Sequence, residues 1–213
     1  EELFVTTKLW NSSRGYDKTL KAFDASLKKL GLDYVDLYLV HWPANKLQFN
    51  NCDEINADTW RGMEAILESG RAKAIGVSNF LVSHLEKLLA GANVKPAVDQ
   101  FEFHPGYMQE ETVSFCDSNG ILVEGYSPLG TGKILKNQIL CDIAAKYGKS
   151  AAQLCIRFSL QNGVLPLPKS VTPERIRENA EVFDFNITDE DMKQIAAIKG
   201  QGRTGCHPDE VSW

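Results

Sequence analysis

Short apolar runs that end in a polar or charged residue recur along this chain, and stretches with helical spacing lie between them. Strand-like runs fall at about 3–8, 35–40, 73–77, 97–101, 121–125 and 164–168. Helix-like segments follow at about 15–30, 57–69, 81–90, 109–118, 137–161 (broken near Gly148) and 173–182. In the first helical segment Leu20, Phe23, Leu27 and Leu30 recur at spacings of three and four, and Gly31 supplies a stop. Ser150 occupies an N-cap position ahead of Ala151, and Thr172-Pro173 sets a cap residue before a proline in the first helical turn. Thr188 opens one more helix in the same way. Strict alternation of this kind predicts a parallel sheet covered by helices.

Such a sheet is either open and doubly wound or closed into a barrel. An open dinucleotide-binding sheet carries G-x-G-x-x-G just after its first strand, and this chain has none there. Polar residues instead close successive strands: Lys8 ends the run from Leu3, and His41 ends Asp36–Val40. A (β/α) barrel keeps its chemistry at the C-terminal strand ends. The expected class is therefore α/β, a parallel (β/α)8 TIM barrel with six of its eight βα units present. Residues 1–213 are expected to form a single, partial barrel domain with a short C-terminal tail. At about 32 residues per unit, closure needs roughly 60–65 more, so two βα units are expected to precede Glu1.

Composition narrows the classes further. With 213 residues, 43% of them apolar, the chain can bury one sizeable core. The net charge of −5 and the lack of any Lys/Arg run speak against nucleic acid or an anionic membrane as partner. The five cysteines are scattered and show no C-x-x-C. They read as reduced thiols of a cytoplasmic protein, with neither a disulfide framework nor a metal site. The sequence shows no signal peptide or membrane-length apolar run, and a monomer is expected.

Five stretches carry a family resemblance: Phe4–Trp10, Asp36–Pro43, Ile75–Phe80, Tyr126–Gly130 and Leu167–Pro173. In this order, each at a strand end, they resemble the aldo-keto reductases over essentially the whole chain. The resemblance implies an NADPH-dependent oxidoreductase that reduces aldehydes or ketones to alcohols by hydride transfer. It places a catalytic tyrosine and aspartate in the segment expected upstream. Two other readings compete, a non-catalytic NADP(H)-binding regulatory barrel and an inactive truncated fragment.

The resemblance also assigns residues. Lys8 would lower the pKa of the tyrosine proton donor, and the neutral imidazole of His41 would orient the substrate carbonyl; taken singly, each is an ordinary strand-end residue. Ser78, Asn79 and Gln100 offer the donors and acceptors that a nicotinamide carboxamide needs. Tyr126 would lie against the nicotinamide ring, and Ser127, Leu129 and Gly130 would approach the pyrophosphate. Lys169, Ser170 and Arg175, beside the helix start at Pro173, make a compact anion site suited to the 2′-phosphate of NADP(H). Glu178 and Asn179 match positions that contact adenine. Trp10 and Trp42 are expected as substrate-pocket walls, with core packing an even alternative. His104 is given no role, His84 reads as a helix-surface residue, and His207 belongs to the tail. Trp213 is a candidate for the pocket mouth.

Overall fold

In a computed structural model, residues 3–200 and 202–213 are described. Among the described residues six strands occur: β1 (Thr6–Leu9), β2 (Val35–Val40), β3 (Ala72–Ser78), β4 (Val98–Glu102), β5 (Leu122–Tyr126) and β6 (Val164–Leu167). They follow in sequence order in one sheet, and the pairs β1–β2, β2–β3, β3–β4 and β5–β6 are parallel. The helices are α1 (Tyr16–Leu30), α2 (Cys52–Glu68), α3 (Val82–Leu89), α4 (Glu110–Ser118), α5 (Gln138–Lys146), α6 (Ala151–Gln161), α7 (Pro173–Ala180) and α8 (Asp189–Ala196). Short 3-10 segments at Asn11–Ser13 and Gly130–Lys136 were not foreseen from the sequence. Among the described residues no helix is long and apolar enough to cross a membrane.

Two compact units can be distinguished. The first holds the residues up to Gln100, Phe115–Ile121 and Cys206–Trp213; the second holds Phe101–Ser114 and Leu122–Gly205. In the first, β2 is buried on both faces, Leu37 and Leu39 on one and Tyr38 on the other against Phe23 of α1, and Ile75 and Val77 of β3 are buried too. Gly76 is required where β3 meets β4: a Cβ there would stand 2.5 Å from the Val98 carbonyl oxygen and 2.7 Å from Leu39 Cδ2. In the second unit Gly125 plays a similar part, since a Cβ would come within 2.9 Å of Val164 Cγ1.

Most boundaries agree with the apolar pattern, and the exceptions have physical causes. The first strand starts at Thr6 instead of Leu3, and Leu3 and Phe4 are exposed. The Val5 N–H is taken by the Asp36 carboxylate at 2.8 Å, and the ladder begins one residue later with Thr6 opposite Leu37. Helix α2 begins at Cys52, five residues before the expected 57, because its inward face there includes the polar Asn56 and Thr59. Asn56 both donates to and accepts from the Ala44 backbone, and the Thr59 hydroxyl accepts the Gly15 N–H. Ser150 and Gln153 form the reciprocal cap expected of α6. Thr172 precedes Pro173 as expected, but its side chain caps nothing; its own N–H is held by Ser170 Oγ at 3.1 Å.

One buried group strains this arrangement. Asp99 on β4 is fully buried, and neither carboxylate oxygen has a hydrogen-bond partner of normal geometry among the described residues. Burial raises its pKa well above the ordinary carboxylate value, and the Phe80 backbone gives only partial relief. A raised folded-state pKa contributes stability below the unfolded value and loses it as pH rises through the folded one. Asp99→Asn should therefore gain thermal stability relative to the parent as pH rises from 5 to 9. Melting curves with a constant difference between the two proteins across that range would contradict this.

Candidate active site

Apart from Tyr126 and Gly130, the residues singled out in the sequence gather into one group in each unit. In the first unit they sit where β1, β2, β3 and β4 end. The register sets Leu9 opposite Val40, Val40 opposite Val77, and Ser78 opposite Gln100, so Trp10, His41, Asn79 and Gln100 all lie at or just past the ladder's end. The carbonyls there still need donors, and polar side chains supply them. Ser78 Oγ donates to the Gln100 carbonyl at 2.6 Å. Asn79 Nδ2 donates to the His41 carbonyl at 3.0 Å and to Ser78 Oγ at 3.1 Å, and its N–H donates to the Gln100 carbonyl at 3.0 Å. This triple engagement holds Asn79 at φ 62°, a left-handed conformation that asparagine tolerates better than most residues.

His41 is half-buried between two tryptophans. Its ring meets Trp10 edge-on at 5.1 Å and stacks with Trp42 at 6.5 Å. Trp42 is buried, whereas Trp10 is 51% exposed and so is not a core residue. Lys8 is also half-buried. Burial first, and the charge of Lys8 second, bring the His41 pKa down to about 4. The imidazole is therefore neutral at physiological pH, free to donate through one nitrogen and accept through the other.

In the second unit a cleft of about 670 Å³ brings together Ser127, Leu129, Lys169, Ser170, Arg175, Glu178 and Asn179. Lys169 and Arg175 are exposed cations, and Ser127 holds a left-handed φ of 51° just past the end of β5. Helix α7 is seated by Gln153 Nε2, which donates to the Glu178 and Glu181 carbonyls. Tyr126 and Gly130 do not line this cleft. Gly130 is buried at φ 52°, and a Cβ there would stand 2.9 Å from Ile134 Cγ2. Its missing side chain serves the turn, and Thr131 and Gly132, which follow it, line the cleft. Ala151 and Ala152, in the first turn of α6, also face this space. The sequence reading missed both contributions, because backbone N–H groups and a turn residue leave no side-chain signature.

Other polar residues take parts that periodicity did not reveal. His84, read as a surface residue, is nearly buried: its Nδ1 accepts the Leu81 N–H at 3.1 Å, and its Nε2 lies 3.1 Å from Asp209. Glu102 is buried and accepts the N–H groups of Thr204 and Gly205 and the Thr204 hydroxyl. Burial pushes its carboxyl up, but the donors around it outweigh this and hold it below the ordinary value. His104 is fully enclosed, with Nδ1 2.9 Å from the Pro105 carbonyl and Nε2 3.4 Å from Glu102. Trp213 packs edge-on against Trp42 at 6.2 Å. Among the described residues no group of three or more His, Cys, Asp or Glu side chains could hold a metal ion.

The chain matches known proteins in both sequence and fold. Residues 1–199 match the aldo/keto reductase family. Glyoxal reductase of Bacillus subtilis is 48% identical over 211 residues, 99% of this chain and 74% of that protein. An aldo/keto reductase of Brucella melitensis superposes with a TM-score of 0.84 at 46% identity, over 91% of this chain and 72% of that one. A mutant of Gox0644 crystallised with NADPH superposes with a TM-score of 0.92 at 39% identity, over all of this chain and 76% of that one. The strand order and βα alternation are those of the (β/α)8 fold of these reductases, with six βα units present.

The depressed pKa of His41 has a measurable sign. Between 6.5 and about 4 the folded protein binds fewer protons at His41 than the unfolded chain, so this residue costs stability as pH falls through that window. His41→Gln should lose less stability than the parent between pH 7 and 4, and the His41 imidazole resonances should stay at their neutral positions at pH 5.5. An NMR titration with a midpoint near 6.5 would contradict the burial argument.

Proposed function

The chain belongs to the aldo/keto reductase family, and we propose that it binds NADP(H) and reduces the carbonyl group of a small aldehyde or ketone. The observation that carries this is the cleft of the second unit, where two cations, a hydroxyl and two helix starts face one space. That set suits a dianionic phosphate monoester better than a ribose hydroxyl. Lys169, Ser170 and Arg175 are assigned the 2′-phosphate, Glu178 and Asn179 the adenine, and Ser127, Leu129 and Gly130 the pyrophosphate stretch. The binding of NADPH by Gox0644 points the same way.

The nicotinamide end is assigned to Ser78, Asn79 and Gln100 for the carboxamide and to Tyr126 for the ring face. Bound there, the cofactor supplies a hydride. The protein's own work is then to place and polarise the carbonyl. A neutral His41 can donate to the carbonyl oxygen without carrying a competing charge, and Trp10 and Trp42 hem in the substituents. Lys8 is assigned the tuning of a tyrosine proton donor, a part given to none of the chain's six tyrosines. The free cysteines, three of them buried, accord with a cytoplasmic protein.

Fluorescence titration tests the assignment directly. The protein should bind NADPH more tightly than NADH, and Arg175→Ala should narrow that preference by about 1.5–3 kcal/mol, the worth of a charge-assisted hydrogen bond. Equal affinities for the two nucleotides in the parent protein would remove the phosphate clamp from the reading.

A further inference from the structure

Arg14 has no part in the site as assigned, yet it is only 7% exposed. Nη1 donates to Gln48 Oε1 at 2.8 Å, and Nη2 donates to the carbonyls of Trp42 at 3.2 Å and Pro43 at 2.9 Å. All three acceptors are neutral, and no carboxylate lies within ion-pairing distance among the described residues. Burial lowers the guanidinium pKa to about 10, so it stays charged at neutral pH. The bonds to these acceptors offset only part of what burying a charge with no counter-ion beside it costs. Its retention calls for a reason besides stability.

The acceptors supply that reason, because they all lie on the segment that follows β2 and carries Trp42. Gln48 extends the chain of bonds. While its Oε1 accepts from Arg14, its Nε2 donates to the Trp213 carbonyl at 2.5 Å. Asn11 Nδ2 reaches the same carbonyl at 3.4 Å, and Asn45 Nδ2 holds the carbonyls of Pro208 and Val211, both at 2.9 Å. Trp213 is thereby brought edge-on to Trp42, at 78° between the ring planes.

We propose that Arg14 and Gln48 are positioning residues that fix Trp42 and Trp213 against each other and so set the width of the carbonyl pocket. One guanidinium fixes the Trp42 backbone directly and the Trp213 backbone through a single amide. The functional part of this rests on the reading of Trp42 as a pocket wall. The positioning part rests on the hydrogen bonds alone.

Gln48→Glu separates positioning from stability. It keeps an acceptor for Arg14 and adds a counter-charge, but removes the donor to Trp213. The variant should melt no lower than the parent. Acrylamide quenching of tryptophan fluorescence, measured without ligand, should rise about twofold, and the rise should vanish in a Trp213→Phe background. In the NADP⁺ complex, where no reduction can occur, 4-nitrobenzaldehyde should bind about fivefold more weakly to Gln48→Glu; in the Trp213→Phe background the loss should be under about twofold. Affinity for NADP⁺ itself should be unchanged. Arg14→Met should show the same losses together with greater exposure of Trp42.

Unchanged quenching in Gln48→Glu would overturn the proposal, as would an aldehyde loss of equal size with and without Trp213. If the parent NADP⁺ complex takes up no aldehyde, the carbonyl-pocket reading fails. The ligand-free quenching then still decides whether Arg14 and Gln48 position Trp213.

Discussion

The unpaired backbone at the ends of parallel strands is the constraint on which the first unit depends. A parallel ladder stops with carbonyls that have no neighbour, and burial makes each unpaired one costly. Here the donors come from side chains. Ser78 and Asn79 serve the carbonyls of His41 and Gln100, and Arg14 serves those of Trp42 and Pro43. Because those donors must be polar and must stand at strand ends, the need to finish the sheet itself concentrates polar chemistry at that end. The left-handed backbone of Asn79 is a consequence, held by its bonds to both neighbouring strands.

How much of this was legible in the sequence follows from the same physics. Strands such as Val35–Val40 and Ala72–Ser78 were readable because buried parallel strands are nearly continuous apolar runs. The strand-end residues were readable because each follows such a run. Helix α2 was read late because Asn56 and Thr59, which face inward, are polar and serve loops far away in sequence. Arg14, Asn45 and Glu102 were missed for the same reason. A solvated surface is the ordinary reading of Arg14 and Asn45 in their polar stretches and of Glu102 between Phe101 and Phe103, and only the fold shows partners between 28 and 166 residues away. His84 belongs with them, since its bond to Asp209 links a short helix to the tail.

The cleft assigned to the nucleotide was legible in a different way. Its side chains, Lys169 to Asn179, are clustered in sequence, so a short motif carries them. Another part of its wall is less legible: the turn through Thr131 and Gly132, both at positive φ, and the first turn of α6. Such groups bind through N–H donors common to nearly all residues, and no residue type announces them. Gly130 is a related case. A glycine before a loop suggests close approach to a ligand, but the contact its missing Cβ avoids is with Ile134.

The chain's cations divide by exposure, and the division separates two kinds of work. Lys169 and Arg175 stand in solvent along the cleft, where a charge keeps its hydration until an exchangeable anion replaces it. Arg14 has given up that hydration for three fixed neutral acceptors. It cannot exchange partners without leaving buried carbonyls unpaired, so it suits permanent geometry and not ligand capture. Lys8 lies between these extremes, half-buried, with its charge felt by His41. A cation there disfavours a second positive charge on the imidazole and keeps it a neutral donor. The depth at which each positive charge sits therefore separates the exposed pair assigned to a ligand from Arg14, which holds fixed carbonyls, and from Lys8, whose charge is felt at His41.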